Sequence, residues 1–225
     1  MMGTRTEFLV ASAAGAVALD TTTAAASAAD ATILDETTFV ARIRSGAKHR
    51  QVIGAARADD GAVLQFAVNT LNGFQNGWHE PAANVQIAIV IAGSAVTLGL
   101  DDEAWRTFKL IDIVHGRNDS VPAEFAQGNP WSHPNSALTP ATDRSIPALL
   151  ARNVKIFCCN TALGDVANRI VAARKAAGNA NPGNPSELQA ELRNHVLPGL
   201  GIVPAGISSI AVLQENGYTY FGAAL

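Results

Sequence analysis

Residues 154–177 read VKIFCCNTALGDVANRIVAARKAA. The first six, 154–159, are an apolar, β-branched run ending in Cys158 and Cys159. From Asn160 onward Leu163, Val166, Ala167, Ile170 and Val171 recur at helical spacing until Gly178, a stop signal. The stretch therefore predicts a buried strand running directly into a helix. A strand with so little two-residue alternation needs both faces covered, as in a parallel sheet between helical layers. Residues 63–68 (VLQFAV) and 85–92 (VQIAIVIA) have the same character, and helix-length segments separate the three runs. Alternation of this kind predicts the α/β class.

Working outward, residues 35–45 start on the N-cap type Asp35 and stop at Gly46, which predicts a helix. Shorter helices are expected at 102–109 and 146–152. Ile207, Ile210, Ala211 and Gln214 place another at 207–215, followed by a last short strand at 218–221 (YTYF). Residues 178–185 (GNANPGNP) read as a linker. Between His115 and Pro140 the pattern dissolves into Gly, Pro, Asn and Ser, a length of irregular chain that usually serves as a lid, an interface arm or a mobile segment.

The 225 residues suit one domain, here 30–225, preceded by a distinct leader at 1–29. Its uncharged apolar run of residues 8–19 (FLVASAAGAVAL) is too short to span a bilayer and right for a signal-peptide core. Ala26-Ser27-Ala28 fits the small-x-small pattern of a cleavage site. Arg5-Thr6-Glu7-Phe8-Leu9 resembles a twin-arginine signal in which Thr6 stands where the second Arg belongs. The expectation is an exported, periplasmic protein with no transmembrane segment in the mature chain, or a cytoplasmic one if the leader is not functional. With 16% charged residues and a net charge of -3, there is no basic surplus for nucleic acid, which needs clustered Lys and Arg. Two adjacent Cys exclude a disulfide framework, a Cys-x-x-Cys redox pair and a zinc knuckle.

Chemistry is best sought at the strand-to-helix junction. In an open parallel sheet, reactive groups collect outside the carboxyl ends of strands, where the next helix offers free N–H groups and a positive dipole end. Cys159 stands there, with Asn160 and Thr161 opening the helix. Cys158 points to the other face and reads as core. A free Cys is also a common small core residue, so Cys159 has a packing reading beside the reactive one. Asn69, after the first run, and Gly93-Ser94, after the second, are the positions such a sheet brings to the same edge; as turn formers they have a purely structural reading too. His115 closes an apolar run and is the histidine placed to act as a base toward the thiol. His79 and His133 lack metal-ligand spacing and read as structural, and no phosphate-loop glycine pattern occurs.

Residues 85–93 (VQIAIVIAG), 154–163 (VKIFCCNTAL), 203–207 (VPAGI) and 213–220 (LQENGYTY) together resemble the DsrE/DsrF-like sulfur-relay family. Its members carry a strand ending in Cys, a helix, a valine-proline-x-glycine turn, a second helix and a Gln-x-x-Gly-Tyr ending. The resemblance spans roughly 48–221 and implies a three-layer α/β/α fold with a mostly parallel, about five-stranded sheet. It also implies homo-oligomers, trimers or hexamers, and a persulfide-carrying Cys that maps to Cys159, with sulfur passed between donor and acceptor proteins and no cofactor. The competing expectation is an oligomeric envelope binding protein in which both Cys are packing residues and the 115–140 loop is a subunit interface. Metal-dependent hydrolysis has no cluster of His and carboxylates to support it.

Overall fold

The strands β1 (His49–Ala55), β2 (Val85–Ile91), β3 (Lys155–Cys159), β4 (Gly201–Val203) and β5 (Thr219–Gly222) form one sheet in the order β4-β3-β2-β1-β5. Every pairing is parallel. The structure, a computed structural model, describes residues 32–115 and 123–223. The 1–29 leader lies outside the described residues. Helices are α1 (Glu36–Ile43), α2 (Ala62–Asn72), α3 (Asp102–Thr107), α4 (Leu110–His115), α5 (Ile146–Ala151), α6 (Asn160–Ala176), α7 (Pro185–Asn194) and α8 (Gly206–Glu215). The α/β class and the helical layer on each side of the sheet are as expected, and the sheet is parallel throughout. No helix among the described residues is long and apolar enough to cross a membrane.

β2 is buried along its whole length because it sits at the centre of the sheet with helices above and below. One face packs Ile53, Ile87, Ile89, Ile91 and Ile156 under α2, α6 and their neighbours; the other packs Val52, Ala88, Val90, Phe157 and Val203 under α1 and α8. The chain steps β1→β2→β3→β4 across the sheet with its helices on the first face. It then crosses back through α8 on the second face to lay β5 beside β1. The β4 edge is covered by the segment before α1, where Leu34 N–H donates to Ile202 O at 2.8 Å.

One expected strand is a helix. Residues 63–68 belong to α2, and Val63, Leu64, Ala67, Val68 and Leu71 form its buried stripe. That spacing is helical; the β-branched content disguised it. The first strand is instead β1, whose amino half carries half-buried His49, Arg50 and Gln51 and so lacks an apolar run. The correction moves Asn69 off the sheet edge: it is exposed on α2 and accepts a hydrogen bond from Gln65 Nε2 at 2.9 Å.

The expected irregular loop is shorter and better anchored than its composition suggests. Residue 115 ends α4, residues 116–122 lie outside the described residues, and a 3-10 turn follows at Ala123–Gln127. Beyond it, buried Asn129 donates from Nδ2 to Leu98 O (2.7 Å) and Leu100 O (2.6 Å). The Trp131 indole packs against Gly61, where a Cβ would stand 2.3 Å from its Nε1. Asp102 accepts from Asn129 N (2.9 Å), Ser132 Oγ (3.1 Å) and His133 Nε2 (2.7 Å). Residues 129–133 are thus part of the packed body.

Candidate functional site

All five strands are parallel, so all five carboxyl ends lie on one edge, and ligands favour the point on that edge where successive connections leave to opposite faces. Here that point lies between β3 and β4: β3 feeds α6 on the first face, whereas β4 feeds α8 on the second. Cys159 ends β3 in that crevice.

The sequence builds the site from two chain turns. At the end of β3 the backbone passes without a linker into α6, which makes Cys159 the residue that caps the helix; its Sγ accepts from Ala162 N at 3.4 Å. At the end of β4, Pro204 and Ala205 turn the chain into α8, and the Gly206 N–H donates to the same Sγ at 3.1 Å. The sulfur therefore receives backbone N–H groups from the first turns of two helices, 17 and 10 residues long. Each N-terminus carries about half a positive charge from the aligned peptide dipoles. The geometry suits a sulfur bearing negative charge. Cys159 is only 5% exposed. Ile207, next to the donor Gly206, is 87% exposed and is the most exposed large apolar residue among the described residues.

Cys158 packs in the same core cluster as Cys159, not on the opposite face that strand alternation predicts, and it lies deeper. It is fully buried on the first face, where a Cβ on Gly99 would come within 2.6 Å of its Sγ. Burial pushes its thiol far up, and charge on the neighbouring Cys159 acts in the same direction.

The other sequence-derived positions divide. Asn160 and Thr161 lie beside Cys159, but their groups are spent on the protein. Asn160 O accepts from Gln189 Nε2 (2.8 Å) and its Oδ1 from Arg193 Nη1 (3.2 Å), tying α6 to α7. Thr161 donates from N (3.3 Å) and from Oγ1 (3.1 Å) to Pro204 O. Gly93 and Ser94 follow β2 on the same edge and stitch it to β1. Gly93 has φ of 49°, and a Cβ would stand 2.2 Å from Ala56 O, so only glycine fits. Ser94 N–H donates to Ala56 O at 2.9 Å while its Oγ accepts from Ala58 N at 3.3 Å. The side chain of His115 lies outside the described residues. No group of three or more His, Cys, Asp and Glu able to hold a metal ion occurs among the described residues.

No family model matches the chain, and no curated protein does. Among solved structures it overlaps a protein of unknown function from Methanobacterium thermoautotrophicum, MTH1491, at 14% identity and a TM-score of 0.36, over 78% of this chain and 99% of that one. At that likeness the fold rests on the sheet topology itself.

Gly206 is the site member that sequence reasoning missed. Its turn, 203–206, was legible, but its contact with the sulfur spans 47 residues and nothing local announces it. The one available signal was the order of elements: two strand-to-helix turns that end neighbouring parallel strands must meet at the same edge.

Proposed function

We propose that this chain is a sulfur carrier of the DsrE-like kind, in which Cys159 holds sulfane sulfur as a persulfide. The observation that carries the reading is the pair of backbone donors, Ala162 N and Gly206 N, on one sulfur at the β3–β4 crevice. In the transfer, the Cys159 thiolate attacks the outer sulfur of a donor persulfide. A new S–S bond forms at Sγ, the donor's S–S bond breaks, and the donor leaves as its thiolate. Sulfur moves with no net electron transfer, and the reverse exchange delivers it to an acceptor thiol. The two N–H donors offer hydrogen bonds to the sulfur on which the new S–S bond forms. Homo-oligomeric assembly as a trimer or hexamer and export to the periplasm belong to the same proposal, on the resemblance of 85–93, 154–163, 203–207 and 213–220 and on the leader.

The depth of Cys159, 5% exposed, favours the second reading, an oligomeric binding protein without thiol chemistry. Native protein incubated with polysulfide, freed of excess reagent and weighed intact discriminates the two. The carrier gains sulfur in wild type and in Cys158→Ser but not in Cys159→Ser. If no variant gains sulfur, and iodoacetamide labels neither thiol before denaturation, the binding-protein reading takes its place.

A further inference from the structure

The ends of α6 and α8 that meet at Cys159 carry the same sign of partial charge, and each leaves N–H groups without intrahelical partners. Something must hold them together. Beyond the β3–β4 ladder, which pairs Cys159 with Val203, two hydrogen-bonded rungs join the helix starts. In one, Gly206 N–H donates to Cys159 Sγ at 3.1 Å. In the other, two residues further along α6 and two residues earlier on the β4–α8 turn, Thr161 donates both its N–H and its hydroxyl to Pro204 O. Both rungs hold the same short turn, 204–206, so the carbonyl that Thr161 grips helps to fix where the Gly206 amide sits.

We infer that Thr161 is a positioning residue, the latch that keeps the crevice closed over Cys159; its bearing on sulfur transfer rests on the carrier reading above. The inner rung is buried, whereas Thr161 is exposed and its bonds to Pro204 O compete with water. The outer rung is therefore where opening begins. Closed, the latch places Gly206 N on the sulfur and leaves Cys159 almost inaccessible. Open, it lets the α8 end swing from α6 and exposes Sγ to a donor or acceptor. Both polar groups of Thr161 that face the crevice are already engaged, which makes it a part of the gate and not a ligand contact.

Thr161→Val keeps the shape and the backbone bond and removes the hydroxyl rung. Amide exchange at Gly206 is expected to rise about fivefold, the scale of one lost hydrogen bond, while β2 amides stay unchanged. Iodoacetamide labelling of Cys159 and loss of bound sulfur to cyanide should accelerate by about the same factor, and Thr161→Ser should restore all three. Gly206 exchange in Thr161→Val within twofold of wild type overturns the latch, as does acceleration that Ser fails to restore; Thr161→Ala gives the same test should Val perturb folding. Exchange at Gly206 is read without any sulfur donor, so protein that never loads sulfur overturns the carrier reading alone.

Discussion

The backbone N–H of Gly206 points at Cys159 Sγ across 3.1 Å, joining residues 47 apart in the chain. Gly206 is also packed too closely for a side chain to enter freely: a Cβ would stand 3.2 Å from Val90 Cγ1, 3.3 Å from Ala92 Cβ and 3.4 Å from Cys159 Cβ. Gly206→Ala is expected to push the first turn of α8 off the sulfur and to destabilise the fold by about 1 kcal/mol, the lower end for overpacking. Thermal unfolding reads the second effect. Intact mass after polysulfide treatment reads the first, as bound sulfur lost several-fold faster than from wild type.

Cys158 and Gly99 offer a test of the buried thiol's role. Gly99→Ala places a methyl group 2.6 Å from Cys158 Sγ and 3.0 Å from Ile91 Cδ1 and Leu200 Cδ2, so destabilisation of about 2 kcal/mol is expected. Cys158→Ala alone leaves a small void and costs about 1 kcal/mol. The double variant should be more stable than the sum of the two implies, because the added methyl takes space the sulfur vacates. Urea unfolding of the four proteins of this cycle measures the coupling. A strictly additive result would contradict the packing described for Cys158.

Acid should loosen the anchored loop before the sheet. Burial raises the Asp102 carboxyl, but hydrogen bonds from His133, Asn129 and Ser132 outweigh it and leave the group below its ordinary 3.8. Asp143 moves the same way, its burial outweighed by bonds from Ser145 and Asn135. A depressed carboxyl contributes stability that is present above its unfolded value and is lost as pH falls through the folded one. The loop contribution therefore disappears below pH 3.8, and the fluorescence of buried Trp131 should change there. Asp102→Asn should remove much of that step; an unchanged acid transition would show that Asp102 does not hold the loop.

The chain has two tyrosines, and one titrates late. Burial pushes Tyr218 up to about 12, with Arg50 opposing, and its hydroxyl donates to Ile43 O at 2.7 Å. A raised group contributes stability that is complete below its unfolded value near 10 and is lost as pH rises through the folded one. Phenolate absorbance should therefore show a late step near pH 12, deleted in Tyr218→Phe. That variant leaves the Ile43 carbonyl without its partner and should cost about 1–2 kcal/mol at neutral pH.

Legibility followed locality. The strand at 85–91, the helices after Asp35, Ser145 and Cys159, and the stop at Gly217 were readable because caps, turn residues and periodicity lie within a few residues of one another. The errors came where tertiary burial overruled local pattern. The β-branched residues of 63–68 suit a strand, yet the same residues at helical spacing bury one stripe of α2 on the sheet. β1 holds its place through pairing with β2 and β5 on either side despite the polar residues of its first half.

By itself the sequence determined the α/β class and the strand-to-helix junction at Cys159, since apolar runs and stop signals act over a few residues. Strand alternation predicts the two thiols on opposite faces, yet both pack in the same core cluster, because Cys159 stands at the strand end where the chain turns into α6. Only the tertiary structure decided that β4 lies beside β3 with its helix on the other face, and hence that Gly206 and Thr161 close on the sulfur. The reason is physical: hydrogen bonds between residues 43 and 47 apart exist only after the sheet has brought two parallel strand ends together, and no local pattern encodes which strands those will be.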